Sequence, residues 1–255
     1  METTDPTTTA PWGPRSQPNE AKFFFDALDA ICGIKPQSAK VLDLGCGHGG
    51  LVKELSALGV AAYGCEIAPR WEVTNHLRAM QTNPYRIPFD DESFDAVVSI
   101  SVMEHVVDKR ECFYEIRRVL KPGGHAMHLF PAKWYLPREP HIYVPLANYG
   151  GPFRSRLWFA LWALLGVRNS HQTGVHWRTA VEQNMQSMKT DMTYWSSAAY
   201  ERLLNEVFGN CEWPMRYFLD HAHGGYARLF RHIPPGWIWE WIGRETRTSF
   251  FVSRK

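Results

Sequence analysis

Paired cysteines are missing from this sequence. Its five cysteines, Cys32, Cys46, Cys65, Cys112 and Cys211, are odd in number, scattered, and nowhere spaced as Cys-x-x-Cys. That argues against a disulfide framework or a cysteine zinc site, and it fits reduced thiols in a cytosolic protein. A strong charge of either sign is missing too. With a net charge of +2 the chain has no electrostatic footprint for nucleic acid, so no such partner is expected. Nor is any stretch apolar enough to span a bilayer. The longest, residues 157–167 between Arg156 and Arg168, falls short of the roughly 18 residues a spanning helix needs. No signal-peptide core is visible at the start. Residues 1–19 are rich in Thr and Pro, poor in periodic hydrophobics, and read as a flexible tail. The expectation is a cytoplasmic protein whose residues 20–255 form one domain, long enough to hold an insertion.

What is present centres on residues 41–50, Val-Leu-Asp-Leu-Gly-Cys-Gly-His-Gly-Gly. An apolar strand ends near an acid, and a glycine-rich turn opens onto a helical pattern at Leu51, Val52 and Leu55. Glycine lets such a turn take φ > 0 and lets backbone come close to a ligand. Gly45, Gly47 and Gly50 also fit the dinucleotide fingerprint, and Glu66 closes the next strand roughly 20 residues on. Two ligands compete, a dinucleotide and S-adenosylmethionine. Asp43 separates them. A pyrophosphate brought near it would meet a like charge, worth about 4 kcal/mol at 4 Å and an effective dielectric of about 20. The ammonium and sulfonium of S-adenosylmethionine would be attracted instead.

Further along, Ile87-Pro88-Phe89, Ser93-Phe94-Asp95-Ala96-Val97-Val98-Ser99, Met103-Glu104-His105-Val106 and Arg118-Val119-Leu120-Lys121-Pro122-Gly123-Gly124 follow in order. With the glycine turn, these motifs over residues 38–132 resemble the class I S-adenosylmethionine-dependent methyltransferases of the type 11 branch. The resemblance implies a Rossmann-like α/β fold: a seven-stranded, mostly parallel sheet with an antiparallel last strand. It implies S-adenosyl-L-methionine as cofactor and S-adenosyl-L-homocysteine as its product. Gly45, Cys46 and Gly47 would admit the methionine part, Asp43 would anchor its ammonium, and Glu66 would hold the ribose. Ile67 would lie on the adenine, Asn83 would accept from its amino group, and Ser101 would sit near the methionine moiety. Quinone O-methyltransferases of related pattern bind a divalent metal through a glutamate three residues before a Glu-His pair. That position is Ser101 here, and no metal is expected.

Between the strands the periodicity predicts a helix over 69–80, a helix from Asp108, and a fifth strand over 125–130. His125 and His128, three apart in a strand, would face opposite sides. Residues 131–192 then intervene before the helix that opens near Ser196, an α-rich insertion at the carboxyl edge of the sheet and so a substrate lid. Within it His141, in Arg138-Glu139-Pro140-His141, is the leading general base, since imidazole titrates near working pH. A structural histidine is the competing reading. His105, Tyr143, His171 and His176 stand in reserve. Residues 152–168 admit a lid or dimer contact, or contact with a membrane surface or a lipid. Beyond the insertion a strand is expected over 211–219, helix over 225–243 and a last strand over 247–253.

The function these readings imply is methyl transfer to a small molecule, as O-methylation of a hydroxyl on a sugar, lipid or other metabolite. C- or N-methylation is the rival within enzymes. A cofactor-binding pseudoenzyme acting as an interaction module is the rival outside them.

Overall fold

The computed structural model describes residues 18–67, 69, 74, 76–222 and 225–255. The expected tail lies almost wholly outside them. Among the described residues the main sheet has six strands: β1 (Lys40–Leu44), β2 (Ala61–Glu66), β3 (Leu77–Ala79), β4 (Phe94–Ile100), β5 (Leu120–Pro131) and β6 (Thr248–Arg254). Their spatial order is β3-β2-β1-β4-β5-β6. The pairs are parallel except the last, where β6 runs against β5 from His125 opposite Arg254 to Pro131 opposite Thr248. Val41, Leu42, Leu44, Val97 and Val98 are all buried, as strands covered on both faces require.

Helices supply both covers. α1 (Pro18–Ala30) and α2 (Gly50–Ala57) bury Phe24, Leu28, Leu51 and Leu55 on one face. α3 (Lys109–Val119) and α6 (Ser197–Phe208) bury Phe113, Ile116, Leu204 and Phe208 on the other. Both helix starts are set locally. Asp108 accepts from the Glu111 amide at 2.9 Å, and Ser196 from the Ala199 amide at 3.3 Å. His128 packs among Phe113 and Phe251 while His125 lies across the sheet beside Cys32, so the two histidines do face opposite sides.

Two expectations fail. The sheet has six strands rather than seven, because residues 211–219 form no strand. Glu212 makes a single bridge to Val252, and Pro214, which has no N–H to give a ladder, precedes helix α7 (Met215–His221). The helix expected over 69–80 is also wrong where it is described. Leu77–Ala79 pair with Gly64, Cys65 and Glu66 as the edge strand β3, and the His76 ring stacks on Tyr63. The helix region expected over 225–243 is present, as two helices, α8 (Gly225–Phe230) and α9 (Gly236–Thr246).

The insertion folds about its own small core. α4 (Arg156–Leu164) and α5 (Trp177–Thr190) bury Phe159, Ala163, Val181 and Met188 together with Ile142 and Val144. No helix among the described residues is long and apolar enough to cross a membrane. The strand order reverses between β1 and β4, and a crevice at the carboxyl ends of those strands is where open α/β sheets take ligands.

Candidate active site

A cavity of about 190 Å³ opens at that reversal, bounded by Leu44 and Gly45 after β1, Glu66 and Ile67 after β2, and Ser101 and Val102 after β4. The glycine turn is braced from below. The Gly45 and Cys46 amides both donate to the Cys65 carbonyl, at 2.8 and 3.1 Å. The Gly47 amide donates to Glu66 Oε2 at 2.9 Å, while Ile67 donates to Oε1 at 2.8 Å. Glu66 is therefore fixed by two backbone donors, and a carboxylate has about four acceptor positions, so some remain for a ligand. Two glycines are needed for distinct reasons. Gly45, at φ +73°, would put a Cβ 2.4 Å from Val102 Cγ2, whereas Gly47, at φ +55°, faces open space. Ser101 takes φ +52° at the end of β4, a conformation that costs a non-glycine residue on the order of 1 kcal/mol.

The rest of the wall is apolar. Ile67 is 57% exposed, and Met80 and Tyr85 line the cavity beside it. Fixed acceptors on one side and an apolar slot on the other suit a ribose and its attached adenine. Cys46 tucks against Gly64, where burial first, then the charges of Asp43 and Glu66, push its thiol up to about 12. It contributes backbone here, not a thiolate.

Beside the cavity a second constellation forms around Glu104, whose side chain is fully buried. Neither of its carboxylate oxygens accepts a hydrogen bond among the described residues. His141 Nε2 stands 3.5 Å from Glu104 Oε1, and His105 Nε2 stands 3.9 Å from it. Both rings are held by their far nitrogens. His105 Nδ1 lies 2.8 Å from the Asp191 carbonyl, and His141 Nδ1 lies 2.9 Å from Glu139 Oε1. Glu139 is buried as well, and it accepts from the His141 and Ile142 amides at 2.8 and 2.7 Å and from the Tyr194 hydroxyl at 2.6 Å. Burial alone would lower the His141 pKa, but the nearby Glu104 carboxylate and the hydrogen bond and charge of Glu139 outweigh it and raise it to about 9.

The insertion is bolted on at this point. The Thr193 amide donates to the Glu104 carbonyl at 2.7 Å. Lys109 spends its three protons on the Val106 carbonyl and on the Thr193 carbonyl and hydroxyl, at 2.7, 2.8 and 2.9 Å. Burial lowers the Lys109 pKa to about 8, against the opposing pull of Glu104.

Gly45, Glu66, Ile67, Ser101 and His105 thus border the cavity, with Asp43 buried at the end of β1 just before Leu44. Asn83 does not. It is exposed on the turn of a small hairpin, Gln81–Thr82 with Tyr85–Arg86, and that hairpin carries it away from the end of β3, where Met80 stands instead. His141 joins the cluster as a cation at neutral pH, without the lone pair a general base needs. Tyr143 lies apart, its ring under the Arg138 guanidinium at 4.7 Å. His176 caps α5 rather than facing the cluster, and the His171 side chain is exposed. Sequence reasoning missed Glu139 and Tyr194. The adjacency of Glu139 to Pro140-His141 was a usable signal for the first; nothing local marked the second.

Comparison with known proteins agrees with this geometry. A family profile described as a methyltransferase domain matches residues 42–128. The chain is 38% identical over 104 residues to a sterol 24-C-methyltransferase of Gibberella zeae, covering 36% of this chain and 27% of that one. It is 32% identical over 130 residues to a ubiquinone biosynthesis O-methyltransferase of Cereibacter sphaeroides, covering 41% and 53%. The chain therefore spans between about a quarter and about half the length of these relatives. A solved S-adenosylmethionine-dependent methyltransferase from Mesorhizobium loti shares the fold over 93% of this chain and all of that one, with a TM-score of 0.53 at 14% identity. Sheet order and matched profile agree: residues 42–128 form a methyltransferase domain, set in the Rossmann-like fold of S-adenosylmethionine-dependent methyltransferases.

Proposed function

We propose that the protein methylates a hydroxyl oxygen of a small, largely apolar molecule. The observation that carries this reading is adjacency: His105 belongs both to the wall of the cavity bounded by Gly45 and Glu66 and to the Glu104–His141 cluster. In this reading Asp43 answers the cofactor's ammonium, and the backbone of Gly45, Cys46 and Gly47 admits its methionine part. Glu66 accepts from the ribose hydroxyls, Ser101 lies by the methionine moiety, and Ile67, Met80 and Tyr85 enclose the adenine. S-adenosylmethionine, when bound, supplies a methyl group made electrophilic by its sulfonium.

The chain's own task is then to orient an acceptor and relieve it of a proton. Orientation dominates, since well-aligned reactants reach effective molarities of about 10⁵ M or more. His105 is suited to the proton. Its Nδ1–H is committed to the Asp191 carbonyl, which leaves Nε2 with its lone pair. His141, held as the imidazolium by Glu104 and Glu139, keeps the cluster in place rather than acting as the base. Residues 131–192 form the acceptor's cover. α4 exposes Leu157, Leu161 and Leu164 and is followed by exposed Leu165, an apolar face that favours a lipid-like acceptor met at a membrane surface over a sugar. The two relatives named above act on a sterol and in ubiquinone biosynthesis, which supports an apolar acceptor and leaves C-methylation as the second reading.

The test is transfer of labelled methyl from S-adenosylmethionine into a fractionated lipid extract, with the product identified by mass. The reading expects a labelled methyl ether and an equal yield of S-adenosylhomocysteine. Label on carbon would favour the second reading. Tight cofactor binding with no transfer to any fraction would refute both.

A further inference from the structure

We propose that Glu104, His105 and His141 form a binding site for one divalent first-row transition-metal ion, of the zinc, cobalt or iron(II) class. One oxygen of Glu104 and one ring nitrogen of each histidine lie within 4.8 Å of one another. A tetrahedral ion with bonds of about 2.0–2.2 Å needs its ligand atoms closer still. The separations from Glu104 Oε1, 3.5 Å to His141 Nε2 and 3.9 Å to His105 Nε2, leave only small movements to reach that.

Three features beyond proximity point to an ion. The first is an orphan. Glu104 is fully buried and, among the described residues, neither oxygen accepts a hydrogen bond and only His141 and His105 stand near as charge partners, at 3.5 and 3.9 Å, whereas buried carboxylates are ordinarily hydrogen-bonded. The second is the orientation of the rings. Each histidine gives its Nδ1 to an outer acceptor, the Asp191 carbonyl at 2.8 Å and the Glu139 carboxylate at 2.9 Å, which turns both Nε2 atoms toward Glu104. That is the outer arrangement metal-ligating histidines show, with carboxylate or carbonyl fixing the tautomer. The third is the donor set. Two imidazoles and one carboxylate match catalytic zinc and mononuclear iron sites, with the ion displacing the His141 Nε2 proton to solvent as it binds, and are poorly suited to magnesium or calcium, which prefer oxygen throughout.

The sequence hid this site because position 101 is Ser101 and the third ligand arrives from the insertion. Ion binding stands whether or not methyl transfer does. Its use rests on the reading above: beside the cavity, an ion draws the acceptor's oxygen and lowers the pKa of its hydroxyl, so that the proton leaves to water and His105 is no longer needed to take it.

The experiment strips the full chain with chelator and titrates it with Co²⁺, followed by visible absorption and by calorimetry, with Zn²⁺ as competitor and Mg²⁺ as control. One equivalent is expected, with ligand-field bands that Zn²⁺ abolishes and Mg²⁺ does not. Glu104→Gln and His141→Ala should each weaken binding by about 100-fold or more, and Glu139→Gln by about 10–100-fold as an outer partner. If Glu104→Gln does not fold, His105→Asn, at a half-exposed ring, gives the same reading. Absence of binding, or binding undisturbed by these substitutions, overturns the proposal. S-adenosylmethionine affinity measured on the same samples separates the two readings. Its absence with Co²⁺ binding intact would sink the methyltransferase function and leave the ion site standing.

Discussion

Glu66→Ala is the substitution that bears most directly on the cofactor. In the structure each Glu66 oxygen accepts one backbone N–H, from Gly47 at 2.9 Å and from Ile67 at 2.8 Å. Both donors sit at the cavity's edge, where water can replace the carboxylate, so folding stability should fall by no more than about 1 kcal/mol. Binding is different. Two hydrogen bonds from ribose hydroxyls to a charged acceptor contribute about 1.5–3 kcal/mol each, so their joint loss is about 3–6 kcal/mol. At about 1.4 kcal/mol per decade that is roughly a 10²- to 10⁴-fold weaker Kd. Calorimetry with S-adenosylmethionine and with S-adenosylhomocysteine measures it, and both should weaken alike because the ribose is common to them. Glu66→Gln should lose nearly as much, since its amide must turn an NH₂ toward one of the two backbone donors. A Kd within about threefold of the native value, a shift of roughly 0.6 kcal/mol, would refute the role assigned to Glu66.

Two further outcomes are expected. Gly45→Ala meets both a positive φ and Val102 Cγ2 at 2.4 Å, and should cost about 2–4 kcal/mol of stability by denaturant unfolding; adding Val102→Ala should recover the steric part and leave the conformational part. His128 is buried and neutral, its pKa lowered by burial to about 3, below the roughly 6.5 of an unfolded chain. The unfolded state then binds the extra proton between those values, so this contribution to stability is full above pH 6.5 and is lost as pH falls toward 3. By pH 5 the loss is about 2 kcal/mol, visible as a steeper acid dependence in the native chain than in His128→Gln.

The cavity's edge was legible because its residues are local. Asp43, Gly45, Cys46 and Gly47 lie on one strand-turn unit, and Glu66 ends the neighbouring strand, in register with it through Asp43 opposite Gly64. Strand ends and a glycine turn leave marks in sequence at short range. Asn83 lies away from the cavity because the hairpin loops it out, which motif spacing does not register. The missing seventh strand had a mark too, Pro214, whose lost donor counted for more than the apolar residues around it. His141 was found and its state was not. A histidine's charge depends on what packs against it, and here that means Glu104 from the exit of β4 and Glu139 from its own turn, brought together only by the folded insertion.

That folded insertion also constrains how the acceptor can enter. A lid hinged at one end would leave the other free to swing, but both ends of this one meet at Glu104. Its early turn arrives through His141 and Glu139, and its exit through Asp191, Thr193 and Tyr194. Lys109 adds two bonds across the same seam, to the Thr193 carbonyl and hydroxyl. Opening there would strip buried carboxylates and a buried ammonium of their partners at once, each such loss costing about 1–3 kcal/mol or more. Motion is cheaper farther out, where α4 and α5 pack on a small core of their own and expose Leu157, Leu161 and Leu164. On the proposed function the base of the insertion serves the chemistry and its far end the choice of acceptor. Changing those leucines to polar residues should therefore raise KM for an apolar acceptor and leave kcat nearly unchanged, because the residues that handle the proton do not move. A fall in kcat with KM constant would mean that the two halves of the insertion act as one.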